Sequence, residues 1–514
     1  MVDKLPPTSK SYWQDSVSLP TYPSLLQDEK FDVCIVGGGI TGLTTASLLS
    51  QEGFSVCLLE ANSVLSGTTS LTTAKVTAQH GLFYADLIDQ FGVEQAKKYY
   101  QANDNALNFI EKMVQEHEIT CQFQHEDAYI YTDSDQEIEK IEKEWEAYEQ
   151  LGINGELCDS VSLPFSIKKA IKMSDQAHFH PLEYSKAILK LCEKNGVIIY
   201  EKTRAINVEY NKHPAVITES GHRITCQYVV QASQYPFYDG LGYYPTRMYA
   251  SRSYAMIVKA DKTIEQGMYV TAGNPVRSIR PIKINDEKLM LLVGESHKTG
   301  QSNDTMMKHF KALEQYGKEN FSVTNILYRW SAQDYISLDQ LPYVGPVTKH
   351  QQNVFVATGF KKWGMTNGTN AALLLNDIIT EQANDTKELF SPSRSFQITP
   401  TLEKFITVNA DVAKHLASGK LKWGKNDIDA LANHEACVTT IDLKRIGVYK
   451  DAEGDLHAVD TTCTHLGCEV NWNNAERSWD CPCHGSRFDY NGNVLQGPAV
   501  KPLEKIDWKK TLEK

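Results

Sequence analysis

The first sixty residues combine short apolar runs with one glycine-rich turn. Residues 31–36, FDVCIV, are rich in β-branched side chains and predict a buried strand. Residues 43–49 then predict a helix whose small side chains face that strand. Val56 to Leu59 is a second apolar run, and it ends at the carboxylate of Glu60. The pattern predicts a βαβ unit with the glycine turn between its first strand and its helix.

The rest of the chain changes its periodicity several times. Residues 134–151 place apolar side chains at helical spacing among Glu and Lys, which indicates an amphipathic helix with a solvated outer face. Residues 353–359, NVFVATG, predict a strand and a tight turn, and a helix follows. A further helix is predicted over residues 401–418, after a polar segment interrupted by proline.

The last part of the chain reads as a separate β domain. Its strands are predicted at residues 437–442, 445–449 and 456–459, and turns such as AEGD and NGN separate the apolar runs. Short strands joined by such turns are typical of antiparallel sheets.

Length and charge limit the classes of protein that fit. A chain of 514 residues is too long for one ordinary core and predicts two or three domains. The net charge of −12 gives no electrostatic support for binding a nucleic-acid backbone. No window approaches twenty apolar residues, so no transmembrane segment is expected, and the first residues lack a signal-peptide pattern. We therefore expect a cytoplasmic protein.

The glycine turn has the spacing of a dinucleotide site. Gly37, Gly39 and Gly42 form G-x-G-x-x-G directly after a predicted strand, and Glu60 ends the next strand. Such glycines allow a pyrophosphate to approach the start of the helix, and the acid can accept from a ribose hydroxyl. The fingerprint alone does not separate NAD from FAD, and an ordinary βαβ turn is the alternative.

Two cysteine–histidine boxes lie near the end of the chain. The first is CTHLGC, with Cys463 and His465, and the second is CPCHGS, with Cys481 and His484. A zinc site could use two cysteines and two histidines, but zinc fingers place both cysteines in one half of the motif. Here each half carries one of each, which suits a [2Fe–2S] cluster with two Cys on one iron and two His on the other.

Both boxes resemble those of the Rieske proteins of respiratory and photosynthetic cytochrome complexes. The resemblance implies that Cys463, His465, Cys481 and His484 are the cluster ligands and that Cys468 and Cys483 form a disulfide between the two loops. A pair of reduced cysteines is the alternative, because a cytosolic compartment normally keeps thiols reduced. Gly497-Pro498-Ala499 resembles the family's third loop, which shields the cluster.

Three features in order resemble the FAD-dependent amine and amino-acid oxidoreductases typified by D-amino-acid, glycine and sarcosine oxidases. They are the fingerprint with the SGTTS segment that follows Glu60, the segment DQLPYVGP at residues 339–346, and the strand, turn and helix from residue 353. The resemblance covers residues 30 to 383 and implies that Gly37, Gly39, Gly42 and Glu60 hold the ADP half of FAD. It places the Gly359–Gly368 turn against the flavin, with a helix starting near Thr366 and with Gly364 and Gly368 permitting close approach.

One position departs from the amino-acid oxidases. Five residues before Asp339, where that family often has an arginine for the substrate carboxylate, this chain has Asp334. We therefore hypothesise a small amine substrate without that anchor, with Asp334 as the counter-charge of a cationic group. A structural aspartate bonded to the next turn is the alternative. No general base can be named; the candidates, by proximity alone, are Lys75, His80, Lys361 and Lys362.

The sequence thus predicts an α/β FAD-binding Rossmann-like domain with a mixed α+β substrate domain, followed by a small all-β Rieske domain. The predicted divisions are residues 1–29, an N-terminal extension; 30–383, the FAD-dependent oxidoreductase domain, with a substrate layer inserted at about 82–330; 384–422, a connector with one helix; and 423–514, the Rieske [2Fe–2S] domain.

These domains predict an enzyme in which flavin oxidises an amine or amino acid and electrons pass singly to the cluster and then to an external acceptor. Flavin can exchange electrons in ones or in twos, whereas a [2Fe–2S] centre accepts one at a time. The alternatives are a reductase with electrons running from cluster to flavin, and a non-catalytic redox sensor.

Overall fold

A computed structural model of the chain describes residues 5–6, 9–301, 305–394, 398–421, 428, 430–441 and 444–507. The predicted boundary at 422/423 lies outside these residues. Within the described ranges, no helix combines the length and the apolar character needed to cross a bilayer.

The helices differ in burial: the one at residues 138–151 buries a single face, as its periodicity predicts, whereas those at 40–51 and 364–379 are buried on nearly all sides. In the described residues the helices are α1 (Tyr12–Ser16), α2 (Ile40–Gln51), α3 (Tyr84–Glu116), α4 (Ile138–Leu151), α5 (Pro181–Lys194), α6 (Met307–Phe321), α7 (Gly364–Ile379), α8 (Lys387–Phe390) and α9 (Ile398–Leu421).

The strands form three sheets before residue 384 and two sheets after it. In chain order they are β1 (Glu29–Lys30), β2 (Val33–Val36), β3 (Val56–Leu59), β4 (Lys75–Val76), β5 (Gln124–Thr132), β6 (Gly155–Cys158), β7 (Lys169–His178), β8 (Ile198–Tyr200), β9 (Ala205–Glu209), β10 (Ala215–Thr218), β11 (Arg223–Thr225), β12 (Tyr228–Gln231), β13 (Met248–Ala260), β14 (Met268–Thr271), β15 (Arg277–Ile284), β16 (Glu287–Lys298), β17 (Val323–Ser337), β18 (Tyr343–Thr348), β19 (Gln351–Thr358), β20 (Ala436–Ile441), β21 (Lys444–Lys450), β22 (Leu456–Asp460), β23 (Asn471–Asn473), β24 (Ser478–Asp480), β25 (Arg487–Asp489) and β26 (Val494–Gln496).

A six-stranded sheet in the order β18-β19-β12-β2-β3-β8 carries the dinucleotide fingerprint. All neighbours are parallel except β18 and β19. β2 and β3 are fully buried, which explains why both read as continuous apolar runs rather than alternating ones. The predicted βαβ unit is therefore present, with α2 packed against α7 and α5.

A nine-stranded, mostly antiparallel sheet forms the second layer, in the order β17-β13-β16-β15-β14-β5-β7-β4, with β6 beside β7. The predicted insertion at 82–330 differs from this layer in two ways. The range includes β8 and β12, which belong to the parallel sheet, and the layer's last strand continues to Ser337. The chain crosses between the layers more than once because parallel strands need long return connections.

The segment before the cluster domain contains more structure than the single predicted helix. α8 buries Leu389 and Phe390 against the flavin domain, and Arg394 makes a bidentate ion pair with Asp339 at 2.7 Å. α9 then follows, as expected from the pattern at 401–418. The cluster domain consists of two antiparallel sheets, β20-β21-β22 and β23-β24-β25-β26.

Candidate functional site

A cavity of about 1040 Å³ lies between the two layers of the flavin domain. Its lining includes the Gly37–Thr41 turn and Glu60, together with Tyr249, Asp334 and the Gly359–Met365 turn. Its volume is at the upper end of the range for ligand sites, about 300–1,000 Å³. The fingerprint and the predicted substrate residue therefore share one cavity.

The glycines of the fingerprint are required by close packing. A Cβ on Gly37 would lie 2.4 Å from the Ala232 carbonyl oxygen, and one on Gly42 would lie 1.9 Å from the Gly37 carbonyl oxygen. Gly39 precedes the first residue of α2, and a Cβ there would meet the Thr69 hydroxyl at 3.1 Å. Backbone, not side chains, thus lines the start of the helix, which fits the pyrophosphate of FAD.

Glu60 is held rigidly at the end of β3. Its carboxylate accepts from the backbone N–H groups of Gly38 at 2.9 Å and Asn62 at 2.8 Å. Burial raises the pKa of Glu60, while the two N–H donors favour its charged form. Each oxygen accepts one bond and has a further lone pair, so the group can still accept from a ribose hydroxyl.

The predicted flavin-side turn has a left-handed backbone at three positions. The φ angles are +77° at Gly359, +50° at Lys361 and +71° at Lys362, and the last two cost energy for residues with a Cβ. The Lys361 N–H donates to the Tyr335 carbonyl oxygen at 3.2 Å, and this bond ties the turn to β17. Both lysines border the cavity as a result.

Only two of the four residues predicted at this turn line the cavity. Gly359 and Gly364 do, and α7 begins at Gly364 rather than near Thr366. The Thr366 hydroxyl instead donates to the Thr77 carbonyl oxygen at 3.0 Å. A Cβ on Gly368 would lie 2.6 Å from the Thr41 hydroxyl, so this glycine allows α7 to pack closely on α2. Thr366 and Gly368 are not among the residues that line the cavity, and their contact with flavin stays a prediction.

The four candidate bases have different surroundings. His80 does not line the cavity; its ring nitrogens contact the Tyr99 hydroxyl at 2.6 Å and the Thr77 carbonyl oxygen at 2.8 Å, and burial lowers its pKa to about 3. Burial lowers the pKa of Lys75 and of Lys361 to about 7, and both border the cavity.

Asp334 and Lys362 are two charged residues of the cavity lining that act on each other electrostatically. Asp334 faces the cavity from β17, and burial raises its pKa to about 6 against the lowering effect of Lys362 and Arg252. The Lys362 ammonium donates to the hydroxyls of Ser253 and Ser296 at 2.8 and 2.5 Å. Burial lowers the pKa of Lys362, and Asp334 opposes that effect.

The four predicted cluster ligands lie together at the tips of two loops. The His465 and His484 rings are perpendicular with centroids 5.1 Å apart, and both Nδ1 atoms are buried without a hydrogen-bond partner in the described structure. A hydrogen bond between the Cys463 and Cys481 thiols is the largest effect lowering the pKa of Cys463 to about 7. Two neighbouring thiols and two unpartnered imidazole nitrogens are the donor set of a Rieske cluster.

The spacing of these donors also bears on the zinc alternative. Among the described residues, no three of the four predicted donor atoms lie within 4.8 Å of one another. One zinc ion requires its donors to converge at about 2.0–2.3 Å from a single point. The arrangement therefore fits a two-iron centre better than one zinc ion.

Neighbouring groups hold the two cluster loops in register. Cys468 and Cys483 form a disulfide, as expected from the resemblance. The Ser486 hydroxyl bonds to the Cys463 thiol and accepts from the Ala499 N–H at 3.0 Å. The third loop is thus attached to the ligand loops, and residues 495–500 also border the cavity.

Sequence reasoning missed the side chains that join the two domains. The Tyr335 hydroxyl lies 2.8 Å from the Gly497 carbonyl oxygen and 3.1 Å from that of His484. The Gln333 amide donates to the Gly485 carbonyl oxygen at 2.8 Å. Alternation along β17 puts these residues on the face opposite Asp334, but no pattern in the sequence indicates what covers that face.

Comparison with known proteins agrees with both halves of the site. The family model described as FAD dependent oxidoreductase matches residues 32–378, and the Rieske [2Fe-2S] domain model matches residues 426–507. The chain is 46% identical over 498 residues to the Rieske 2Fe-2S iron-sulfur protein YhfW of Bacillus subtilis, covering 97% of both chains. It is 22% identical over 231 residues to gamma-glutamylputrescine oxidoreductase of Escherichia coli, covering 44% of this chain and 54% of that protein.

Solved structures show the same flavin-domain fold. Glycine oxidase from Geobacillus kaustophilus has a TM-score of 0.61 at 17% identity and covers 72% of this chain and 100% of its own. L-proline dehydrogenase from P. horikoshii has a TM-score of 0.60 at 17% identity, covering 71% and 98%. The chain belongs to the FAD-dependent oxidoreductase family and carries a Rieske domain after its flavin domain, so that its cofactors are FAD and a [2Fe–2S] cluster.

Proposed function

We propose that this enzyme oxidises a small amine or amino acid in the cavity and passes the electrons one at a time to its own cluster, from which an external acceptor takes them. The observation that carries the proposal is that both domains line one cavity. Residues 495–500 of the Rieske domain border the same cavity as the Gly37–Thr41 turn. When bound, FAD supplies hydride acceptance and single-electron transfer, and the cluster supplies a one-electron acceptor.

Each half of the site then has proposed binding residues. Gly37, Gly39, Gly42 and Glu60 would hold the ADP half of FAD, because they leave backbone and one fixed carboxylate at the start of α2. The cluster would be bound by the residues of the two boxes, which are Cys463, His465, Cys481 and His484.

The charged residues that line the cavity support an amine substrate. Asp334 can act as the counter-charge of a cationic group, and Lys362 is already engaged by two serine hydroxyls. Residues with small side chains (Ser251, Ser253, Ala255 and Ala332) leave room on the sheet that faces the cavity. Similar proteins are named for glycine, L-proline and gamma-glutamylputrescine, which is consistent with this class of substrate.

Anaerobic reduction tests the proposal. Small amines and amino acids are added one by one to the purified protein, and flavin absorbance is followed together with the electron paramagnetic resonance (EPR) signal. We expect at least one compound to bleach the flavin and then to produce a Rieske-type signal. Bleached flavin with a permanently silent cluster would contradict the relay.

The same experiment distinguishes the other functions. Reduction by NAD(P)H, with the cluster reduced before the flavin, would show electrons running in the opposite direction. If no compound bleaches the flavin and partner binding changes with redox state, the protein is a sensor.

Asp334→Asn should weaken the binding of a cationic amine. A hydrogen bond to a charged group contributes about 1.5–3 kcal/mol, so the apparent KM should rise about tenfold or more. Because burial raises the pKa of Asp334 to about 6, the wild-type affinity should be complete well above pH 6 and should fall as the pH drops through that value. Steady-state kinetics across pH measures both effects.

Asp159→Asn is the matched control, since this carboxylate is 86% exposed on the surface of the flavin domain. It should leave KM and its pH dependence unchanged. The counter-charge hypothesis is wrong if Asp334→Asn behaves in the same way as this control.

A further inference from the structure

The strand β17 lies between the cavity and the loop that carries His484. β17 lies at the edge of the nine-stranded sheet, and its Asp334 faces the cavity. The residues on either side of Asp334, Gln333 and Tyr335, contact the loop that carries His484. Tyr335 is 2% exposed, and it also borders the cavity.

The cluster loop packs directly on this sheet. A Cβ on Gly485 would lie 2.3 Å from the Cβ of Ala250, which pairs with Tyr335 across β13 and β17. A Cβ on Gly300 would lie 2.7 Å from the Pro482 nitrogen. At both glycines the facing atom is a backbone atom or a Cβ, which cannot move aside as a long side chain can. The two contacts therefore indicate a fixed docking geometry.

Tyr335 is bonded on both sides of this contact. Its hydroxyl lies within hydrogen-bond distance of the Gly497 and His484 carbonyl oxygens, at 2.8 and 3.1 Å. Its own carbonyl oxygen accepts from the Lys361 N–H at 3.2 Å, in the turn that lines the cavity. A continuous series of covalent and hydrogen bonds therefore joins that turn to a cluster ligand residue.

We propose that Tyr335 is a positioning residue that fixes the His484 loop against the cavity wall and supplies the bonded route by which electrons cross from the flavin cavity to the cluster. This inference rests on the proposed function. In each transfer the reduced flavin loses one electron and the oxidised cluster gains it. No bond in Tyr335 forms or breaks, and the flavin's proton is released to the cavity. Electronic coupling decays less through bonds than across gaps, so the hydroxyl contact should control the rate.

Tyr335→Phe tests this because it keeps the ring and removes only the hydroxyl. A light pulse with EDTA as electron donor reduces the bound flavin without any amine, and freeze-quench EPR then follows the cluster. We expect flavin photoreduction at the wild-type rate and cluster reduction slowed about tenfold, since about one hydrogen bond of docking is lost. The g-values of the cluster should also shift, because the contact to the His484 loop changes.

Tyr235→Phe is the matched control. The Tyr235 ring lies 4.9 Å from that of Tyr335 and 6.3 Å from that of His465, and its hydroxyl is buried without a partner in the described structure. It should leave both rates and the g-values unchanged. If Tyr335→Phe yields no holoprotein, Gln333→Leu provides the same comparison, because the Gln333 amide bonds to both the Tyr335 hydroxyl and Gly485.

The outcomes separate this inference from the proposed function. If the cluster of Tyr335→Phe is reduced at the wild-type rate, the proposed role of Tyr335 is wrong and the proposed function is unaffected. Normal light-driven transfer with no response to any amine would overturn the proposed substrate class and leave the role of Tyr335 intact. Photoreduced flavin that never reduces the wild-type cluster would overturn both.

Discussion

Cys481→Ala should yield a protein that binds flavin but holds no iron–sulfur cluster. The Cys481 sulfur is buried beside that of Cys463, with a hydrogen bond between the two thiols. Removal of a residue that only hydrogen-bonds to a metal ligand typically lowers metal affinity about 10–100-fold. Loss of a ligand itself should lower the affinity further, so the cluster should not assemble. Iron and acid-labile sulfide should fall to background, and the Rieske EPR signal should disappear.

The flavin half of this variant should be unaffected. Flavin content and bleaching by any active amine should stay at wild-type values, whereas electron delivery to a one-electron acceptor should cease. Cys437→Ala is the control, since this cysteine is half-buried in β20 of the same domain, outside the two boxes. Wild-type iron and sulfide in Cys481→Ala would show that the boxes do not bind the cluster, and zinc in the wild-type protein would exclude the cluster itself.

Local features of the site were predictable because they depend on neighbouring residues in the chain. The strand at 33–36, the glycine turn and the carboxylate at the end of β3 all follow from periodicity and from the packing needs of one βαβ unit. The cluster boxes were equally local, since each loop supplies one cysteine and one histidine within three or four residues. Such features require no knowledge of distant contacts.

Contacts between distant segments could not be predicted from the sequence. Gly368 has the spacing of a flavin-facing glycine, yet it packs on Thr41, more than three hundred residues earlier. The polar segment after residue 384 reads as a linker, yet Phe390 is fully buried there. Periodicity specifies which face of an element is apolar but does not identify the partner of that face.

The contact between the domains illustrates the same limit. The sequence predicts two redox centres in one chain, but no pattern in it indicates how the two domains contact each other. The structure adds a physical basis, because Gly485 and Gln333 bring the His484 loop onto β17. This docking places the His484 loop beside the strand whose Asp334 lines the cavity.

The second large effect is expected for Gly42→Ala, which should lose flavin and stability together. The new methyl group would lie 1.9 Å from the Gly37 carbonyl oxygen, and because that atom is backbone, the start of α2 must move away from β2. Overpacking of this kind typically costs about 1–3 kcal/mol, and the shorter the contact the greater the cost. A helix start displaced from the pyrophosphate position should lower FAD affinity by about a hundredfold, the equivalent of about 3 kcal/mol.

Flavin absorbance per protein and the melting temperature measure the two losses, and Gly273→Ala separates them from the general effect of replacing a glycine by alanine. Gly273 is not among the residues that line the cavity, and the nearest atom to its added Cβ is 3.6 Å away, in the side chain of Glu137. This control should therefore bind FAD and melt as the wild type does.

Full flavin content in Gly42→Ala would mean that the helix start can shift without losing the cofactor, and the pyrophosphate would then have to be held elsewhere in the cavity. Gly39→Ala, with its milder 3.1 Å contact to the flexible Thr69 hydroxyl, should fall between the two, because a side chain can yield where a backbone carbonyl cannot.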